Sequence, residues 1–184
     1  CVSDLFLRMQ RRRGRGQMER RNPANRPVLA EKIRAGMVAA WEKTERFPIE
    51  TVAFRSAELT LEPKSSAGFT DAELKATLAD TSAKTFKRNL AAMGLSWRMR
   101  GAAGQPIEVP AIDFGKAKFL LTPAESFVGY QLMAQKLDPD HFVFTAGYGE
   151  CAPGYIPTAF ASGEGFNDVQ DWCWVAPTAE EPMK

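Results

Sequence analysis

At 184 residues, 45% of them hydrophobic, the chain is long and apolar enough for one globular domain with its own core. No apolar run reaches the length of a membrane-spanning helix, and the three cysteines match no CxxC metal motif. The net charge of +2 hides an asymmetry: residues 1–26 hold eight arginines against two acids, while the remainder holds 16 basic residues against 20 acidic ones.

That opening stretch, with Arg11-Arg12-Arg13-Gly14-Arg15, reads as a basic arm or connector, residues 1–26, before a single domain over 27–184. Arms of this kind can neutralise phosphates on nucleic acid or on an anionic surface. Nucleic acid is disfavoured here, because no aromatics interleave the arginines and no reading module follows them. The chain starts at Cys1, which suggests a piece of a longer protein; a lipid-modified terminal cysteine is the alternative.

Asn25-Arg26-Pro27 opens a helix expected to run to about Lys43, with Leu29, Ile33, Val38 and Trp41 as a core-facing stripe and Phe47-Pro48 as its stop. Residues 51–61 alternate with an offset midway, which predicts a bulged strand or two short ones. A turn-rich loop follows at 63–68. Thr70-Asp71-Ala72-Glu73 then has the capping-box pattern of a short helix, and a second helix is predicted over 82–93 with Gly94 as its cap. Arg98 and Arg100 fall in the expected connector and read as surface charges or, less readily, as anion contacts. Ile107, Val109, Ile112 and Phe114 lead through a hairpin turn at 113–116 into Phe119-Leu120-Leu121.

The stretch 118–158 organises the rest. Thr122-Pro123 stops the apolar strand and predicts a helix start, with Phe127, Val128, Leu132, Met133 and Leu137 near helical spacing and Asp138-Pro139-Asp140 ending it. Residues 141–146 predict a further strand, and Gly147-Tyr148-Gly149 with Pro153-Gly154 a loop. Glu125 and Tyr155 each stand just beyond an apolar strand. Two readings of Glu125 stand: the last member of a capping box from Thr122, or part of a site. Tyr155 is a partly buried ring with a satisfied hydroxyl, or the second half of that site. Beyond it, 159–171 reads as a polar loop, and Trp172-Cys173-Trp174-Val175 as a segment packing on the core edge. Cys151 and Cys173 form either a disulfide or two buried thiols.

Pro123-Ala124-Glu125 after an apolar strand, then helix, strand and Tyr155-Ile156-Pro157-Thr158, resembles the C-terminal half of the catalytic domain of the neutral/alkaline (non-lysosomal) ceramidase family, especially its divergent bacterial members. Gly147-Tyr148-Gly149-Glu150 and Glu164-Gly165-Phe166 extend the likeness, which covers about residues 51–177. Family members have a Pro-Gly-Glu motif whose glutamate binds zinc and a Tyr-[Ile/Val]-Thr-Thr motif whose tyrosine does so. The resemblance places those roles on Glu125 and Tyr155. Ala124 stands in place of the usual Gly, Pro157 in place of the first Thr, and Asn167-Asp168 in place of a final acid.

The resemblance also implies two zinc-binding histidines, a serine and an arginine from an N-terminal half that these residues do not include, and an extracytoplasmic or secreted setting. The sole histidine, His141, matches none of those ligands. The expectation is therefore an α/β or α+β domain, a mixed sheet flanked by about four helices, forming part of a larger catalytic domain. Its zinc would be complete only with the missing histidines, and its substrate would be ceramide or a related lipid amide. The alternatives are a non-catalytic binding or structural domain that keeps the fold, and an anionic-surface binder acting through the arginine arm.

Overall fold

Asp113-Phe114-Gly115-Lys116 makes the tight turn inside the sheet. Gly115 takes φ +82°, its N–H donates to the Asp113 carboxylate at 2.8 Å, and the Phe114 N–H donates to Ala117 O at 2.9 Å. The turn joins β2 (Ile107–Asp113) to β3 (Ala117–Leu121) as an antiparallel hairpin. The computed structural model describes residues 23–150, 153–163 and 167–184. It divides into two compact units, one ending at Pro48 and the other spanning Ile49–Lys184. Most of the arginine arm, and the 164–166 motif, lie outside the described residues.

In the first unit a 3-10 turn, Pro23–Asn25, leads into α1 (Arg26–Glu42), with proline in the first turn as its sequence predicts. No residue of α1 is buried. Leu29, Ile33 and Val38 are exposed and Trp41 is 79% exposed, so the stripe expected to face a core does not. Helical periodicity fixes which side chains share a face; it does not supply something to cover them.

The second unit has an α+β fold on a mixed four-stranded sheet, in the order β1-β2-β3-β5. The edge strand β1 (Ala53–Leu59) pairs antiparallel with β2 over seven uninterrupted positions, from Ala53↔Asp113 to Leu59↔Ile107. The expected bulge is absent from that ladder. The apparent offset in the sequence arises because β1 is solvent-exposed until Leu59 and so carries no strict alternation. β5 (Phe142–Ala146) lies parallel to β3, and the crossover between them holds β4 (Glu125–Ser126) and α4 (Gly129–Leu137). β4 pairs with β6 (Tyr155–Ile156) in a separate two-stranded ladder.

α2 (Asp71–Ala79) and α3 (Thr85–Ala102) pack together as a helical pair. Thr70 and Glu73 make the complete capping box at the start of α2, as predicted. α3 does not stop at Gly94 but runs two further turns. At Gly94 an added Cβ would lie 2.7 Å from the Trp174 ring, so this glycine is a seat for an indole and not a cap. The segment 159–171, expected as a loop, holds two short helices, α5 (Ala159–Gly163) and α6 (Asn167–Asp171). The C-terminal segment forms only a 3-10 turn, Pro177–Glu180. Among the described residues there are six α-helices, and none is long and apolar enough to cross a membrane.

The main core gathers Leu59, Leu61, Trp97, Ile107, Tyr130, Ile156, Cys173, Trp174 and Val175. The segment 172–175 is thus central to the core and not its edge. Replacing Gly94 by Ala should destabilise the fold by about 1–3 kcal/mol, although alanine is the better helix former, because the new methyl would displace Trp174. Urea unfolding of Gly94→Ala beside the unaltered chain checks this, and equal or greater stability in the variant would contradict it.

Candidate functional site

The parallel strands β3 and β5 end together, Leu121 opposite Ala146, and both chains then turn. Thr122 is buried. Its N–H and its hydroxyl both donate to Ala146 O, at 2.8 and 3.1 Å. Ala124, fully buried, takes φ +47°, a left-handed conformation unusual for a residue with a side chain. Three backbone hydrogen bonds fasten this turn to the Gly147–Glu150 loop: Gly149 N–H to Thr122 O (3.0 Å), Tyr148 N–H to Ala124 O (2.8 Å) and Ala124 N–H to Glu150 O (2.9 Å). Gly149 is required there, since a Cβ would meet Thr122 O at 2.9 Å.

The left-handed turn delivers the chain into β4. Glu125 and Tyr155 are direct register partners in the parallel ladder with β6, and Ser126 pairs with Ile156. The ladder bonds run from Glu125 N–H to Gly154 O and from Phe127 N–H to Ile156 O, both at 3.1 Å. Direct partners in a ladder project to the same face, from backbones about 5 Å apart. The ladder therefore places Glu125 and Tyr155 on the same face of adjacent strands. Both residues are half-buried, above the fully buried Ala124 and Ile156. The Tyr155 ring stands edge-on to Phe127, centroids 6.1 Å apart.

The capping-box reading of Glu125 does not hold. The Thr122 hydroxyl is spent on Ala146 O, and the helix starts only at Gly129. Ala124's left-handed backbone diverts the chain into a strand before helical bonding can begin, so Pro123 starts a turn. Gly129 in turn lies against Thr158, whose Cγ2 would be 2.5 Å from an added Cβ.

Tyr155 is fixed from behind as well. Its N–H donates to Trp172 O at 2.9 Å, and Gly154, at φ +69°, bridges to Cys173. A Cβ on Gly154 would lie 2.1 Å from Trp172 O. Cys173 is a buried free thiol whose pKa is pushed up by that burial, and Cys151 lies outside the described residues. Below, the buried Tyr130 hydroxyl donates to Pro157 O at 2.8 Å, and burial raises its pKa.

Sequence reasoning missed the anchor of the loop. The Glu150 carboxylate accepts from Arg100 (2.8 Å) and from the Glu108 N–H (3.0 Å), and Arg100 also donates to Gln105 O and Pro106 O. Arg98 donates to Lys64 O and Phe69 O. Both arginines are partly buried and clamp backbone carbonyls, and Arg100 pairs with the Glu150 carboxylate as well. An open depression lined by Leu61, Pro63, Arg98 and Met99 contains neither Glu125 nor Tyr155.

His141 stands at the opposite end of β5. Its Nδ1 lies 2.5 Å from one Asp138 carboxylate oxygen, and Lys118 Nζ lies 2.6 Å from the other. Those donors, Lys118 first and His141 second, hold the Asp138 pKa below its ordinary value of 3.8. Among the described residues no group of three or more His, Cys, Asp or Glu converges as a metal cage. Glu125 and Tyr155 offer one carboxylate and one phenol at paired positions of the β4–β6 ladder, fewer groups than such a cage holds. Comparison with models of protein families, with curated proteins and with solved structures finds no match for this chain.

Two outcomes follow from this geometry. Ala124→Gly should change stability by no more than about 1 kcal/mol, since relief of the left-handed backbone offsets the lost methyl and the added chain entropy. Ala124→Val should cost about 2–4 kcal/mol in the same unfolding measurement, because a β-branched side chain suits neither that φ nor the full burial. Because the Asp138 pKa is depressed in the folded state, its stabilisation is present above the ordinary carboxylate range and is lost as pH falls through the folded value. Urea midpoints measured from pH 7 down to pH 3 should therefore fall less steeply for Asp138→Asn.

Proposed function

We propose that this chain supplies Glu125 and Tyr155 as two ligands of a catalytic zinc in an amidohydrolase that cleaves the N-acyl bond of ceramide or a related lipid amide. The observation that supports the reading most is the in-register pairing Glu125↔Tyr155. Two residues thirty positions apart, singled out by resemblance to separate motifs, are neighbours on one face. The positive φ at Ala124 adds to it, because the related motif carries glycine at that position, the residue that adopts such a φ at least cost.

A carboxylate is an ordinary zinc ligand, whereas a phenol, with an unperturbed pKa near 10, binds as phenolate only where the metal stabilises the charge. Rigid backbone placement is what such a weak ligand requires, and the β4–β6 ladder gives it. When bound, zinc would polarise the amide carbonyl and lower the pKa of a coordinated water to about 7. The remaining ligands in this reading are histidines contributed from outside these residues. His141 is not one of them, being engaged by Asp138 and separated from the site by the length of β5, about 13 Å.

The test is zinc content and N-acylsphingosine hydrolysis for the longest natural form of the chain, beside its Glu125→Gln and Tyr155→Phe versions. About one zinc per chain is expected, with each substitution lowering metal affinity at least about tenfold and activity with it, while the thermal unfolding of the metal-free forms stays similar. If both variants keep their zinc and activity, or if the long form holds no zinc, the two residues are structural and the domain serves a non-catalytic role.

A further inference from the structure

Among the described residues only Ala124 and Tyr148 combine a side chain with positive φ, at +47° and +64°. They are bonded to one another, Tyr148 N–H to Ala124 O at 2.8 Å. Ala124 has a local reason for its conformation, since it is fully buried and turns the chain into β4. Tyr148 has no such reason. Its ring is 71% exposed and makes no hydrogen bond or ring contact among the described residues. Glycine at this position would meet the same backbone demand at lower cost, as Gly115 and Gly154 do at φ +82° and +69°.

Other exposed aromatics differ in this respect. Phe54 and Phe142 are equally exposed, but each lies on a strand, where aromatic residues are at home and the backbone is relaxed. Tyr148 alone among the described residues joins a costly backbone to an unburied ring. Nor is its loop loose, because the three bonds to residues 122–124 and the Arg100–Glu150 pair hold it beside the residue that precedes Glu125. A rigidly presented, locally unfavourable, solvent-facing aromatic next to a candidate site is what a ligand-contacting residue looks like.

We infer that Tyr148 is a substrate-contacting residue that selects lipid amides, its ring lying along an alkyl chain and its hydroxyl reaching the polar head where that chain begins. The inference rests on the zinc amidohydrolase reading above. A ring of this kind has an apolar body and a polar tip, matching a molecule in which a tail meets an amide and hydroxyl head. It acts on binding and takes no part in bond cleavage, so its removal affects ground state and transition state alike.

The experiment uses the longest natural form, with N-acylsphingosine in detergent mixed micelles, and compares the unaltered protein with Tyr148→Gly and Tyr148→Phe. Glycine removes the ring while suiting the left-handed backbone, so folding and zinc content should be kept. KM should rise about tenfold with kcat changed less than about twofold, and phenylalanine should recover most of the loss. An unchanged KM in Tyr148→Gly, with zinc and hydrolysis intact, would overturn the inference and leave the parent reading standing. Loss of zinc or of folding in that variant would also overturn it, by making Tyr148 a structural residue. Absence of zinc-dependent hydrolysis in the unaltered protein would remove both readings together.

Discussion

One indole holds the second unit together. Trp174 lies against Gly94 of α3 on one side and Gly154, just before β6, on the other, with places where a Cβ would approach it to 2.7 and 2.6 Å. Its backbone is used as fully as its ring, since its N–H donates to Pro153 O and its carbonyl accepts from the Lys64 N–H. Burying a tryptophan removes roughly 200 Å² of largely apolar surface from water, worth about 5 kcal/mol before entropy is counted. That contact links the helical pair to the strand that carries Tyr155. The strand that carries Tyr155 therefore leans, through Gly154, on a side chain from the C-terminal segment.

The neighbourhood of Glu125 and Tyr155 is made mainly by backbone. Carbonyls and amides of 122–124, 147–150 and 154–156 bond to each other, and the charged pair Arg100–Glu150 ties that set to the end of α3 and the start of β2. The backbone groups of the buried segment 122–124 have to be matched internally, and the 147–150 loop supplies their partners. This arrangement frees the side chains at its surface to be chosen for chemistry, because few of them are needed for support.

What could be read from the sequence was what short-range forces decide. The hairpin at 113–116, the capping box at Thr70, the proline start of α1 and the strand at 142–146 each depend on a few adjacent residues, and each is where its signal lies. Distant partners decided the rest. Gly94 resembles a cap until Trp174, eighty positions on, occupies it, and Arg98 and Arg100 look like solvated charges until the carbonyls they clamp are brought in by folding. The left-handed turn at Ala124 had no composition signal, as alanine between proline and glutamate reads as a helix start.

The ladder that joins Glu125 to Tyr155 has only two residue pairs, and side chains on a strand alternate between faces. Its register is thus an integer matter. A shift of one position would bring Gly154 or Ile156 opposite the carboxylate and turn the phenol to the other face, with no intermediate arrangement available. The bonds that set this register, Glu125 N–H to Gly154 O, Phe127 N–H to Ile156 O and Tyr155 N–H to Trp172 O, are for that reason as much a determinant of the local chemistry as the side chains. Substitutions in the loop before β6 can be graded in their effect, whereas a change of length that reaches the ladder acts as an all-or-none change in which residues face each other.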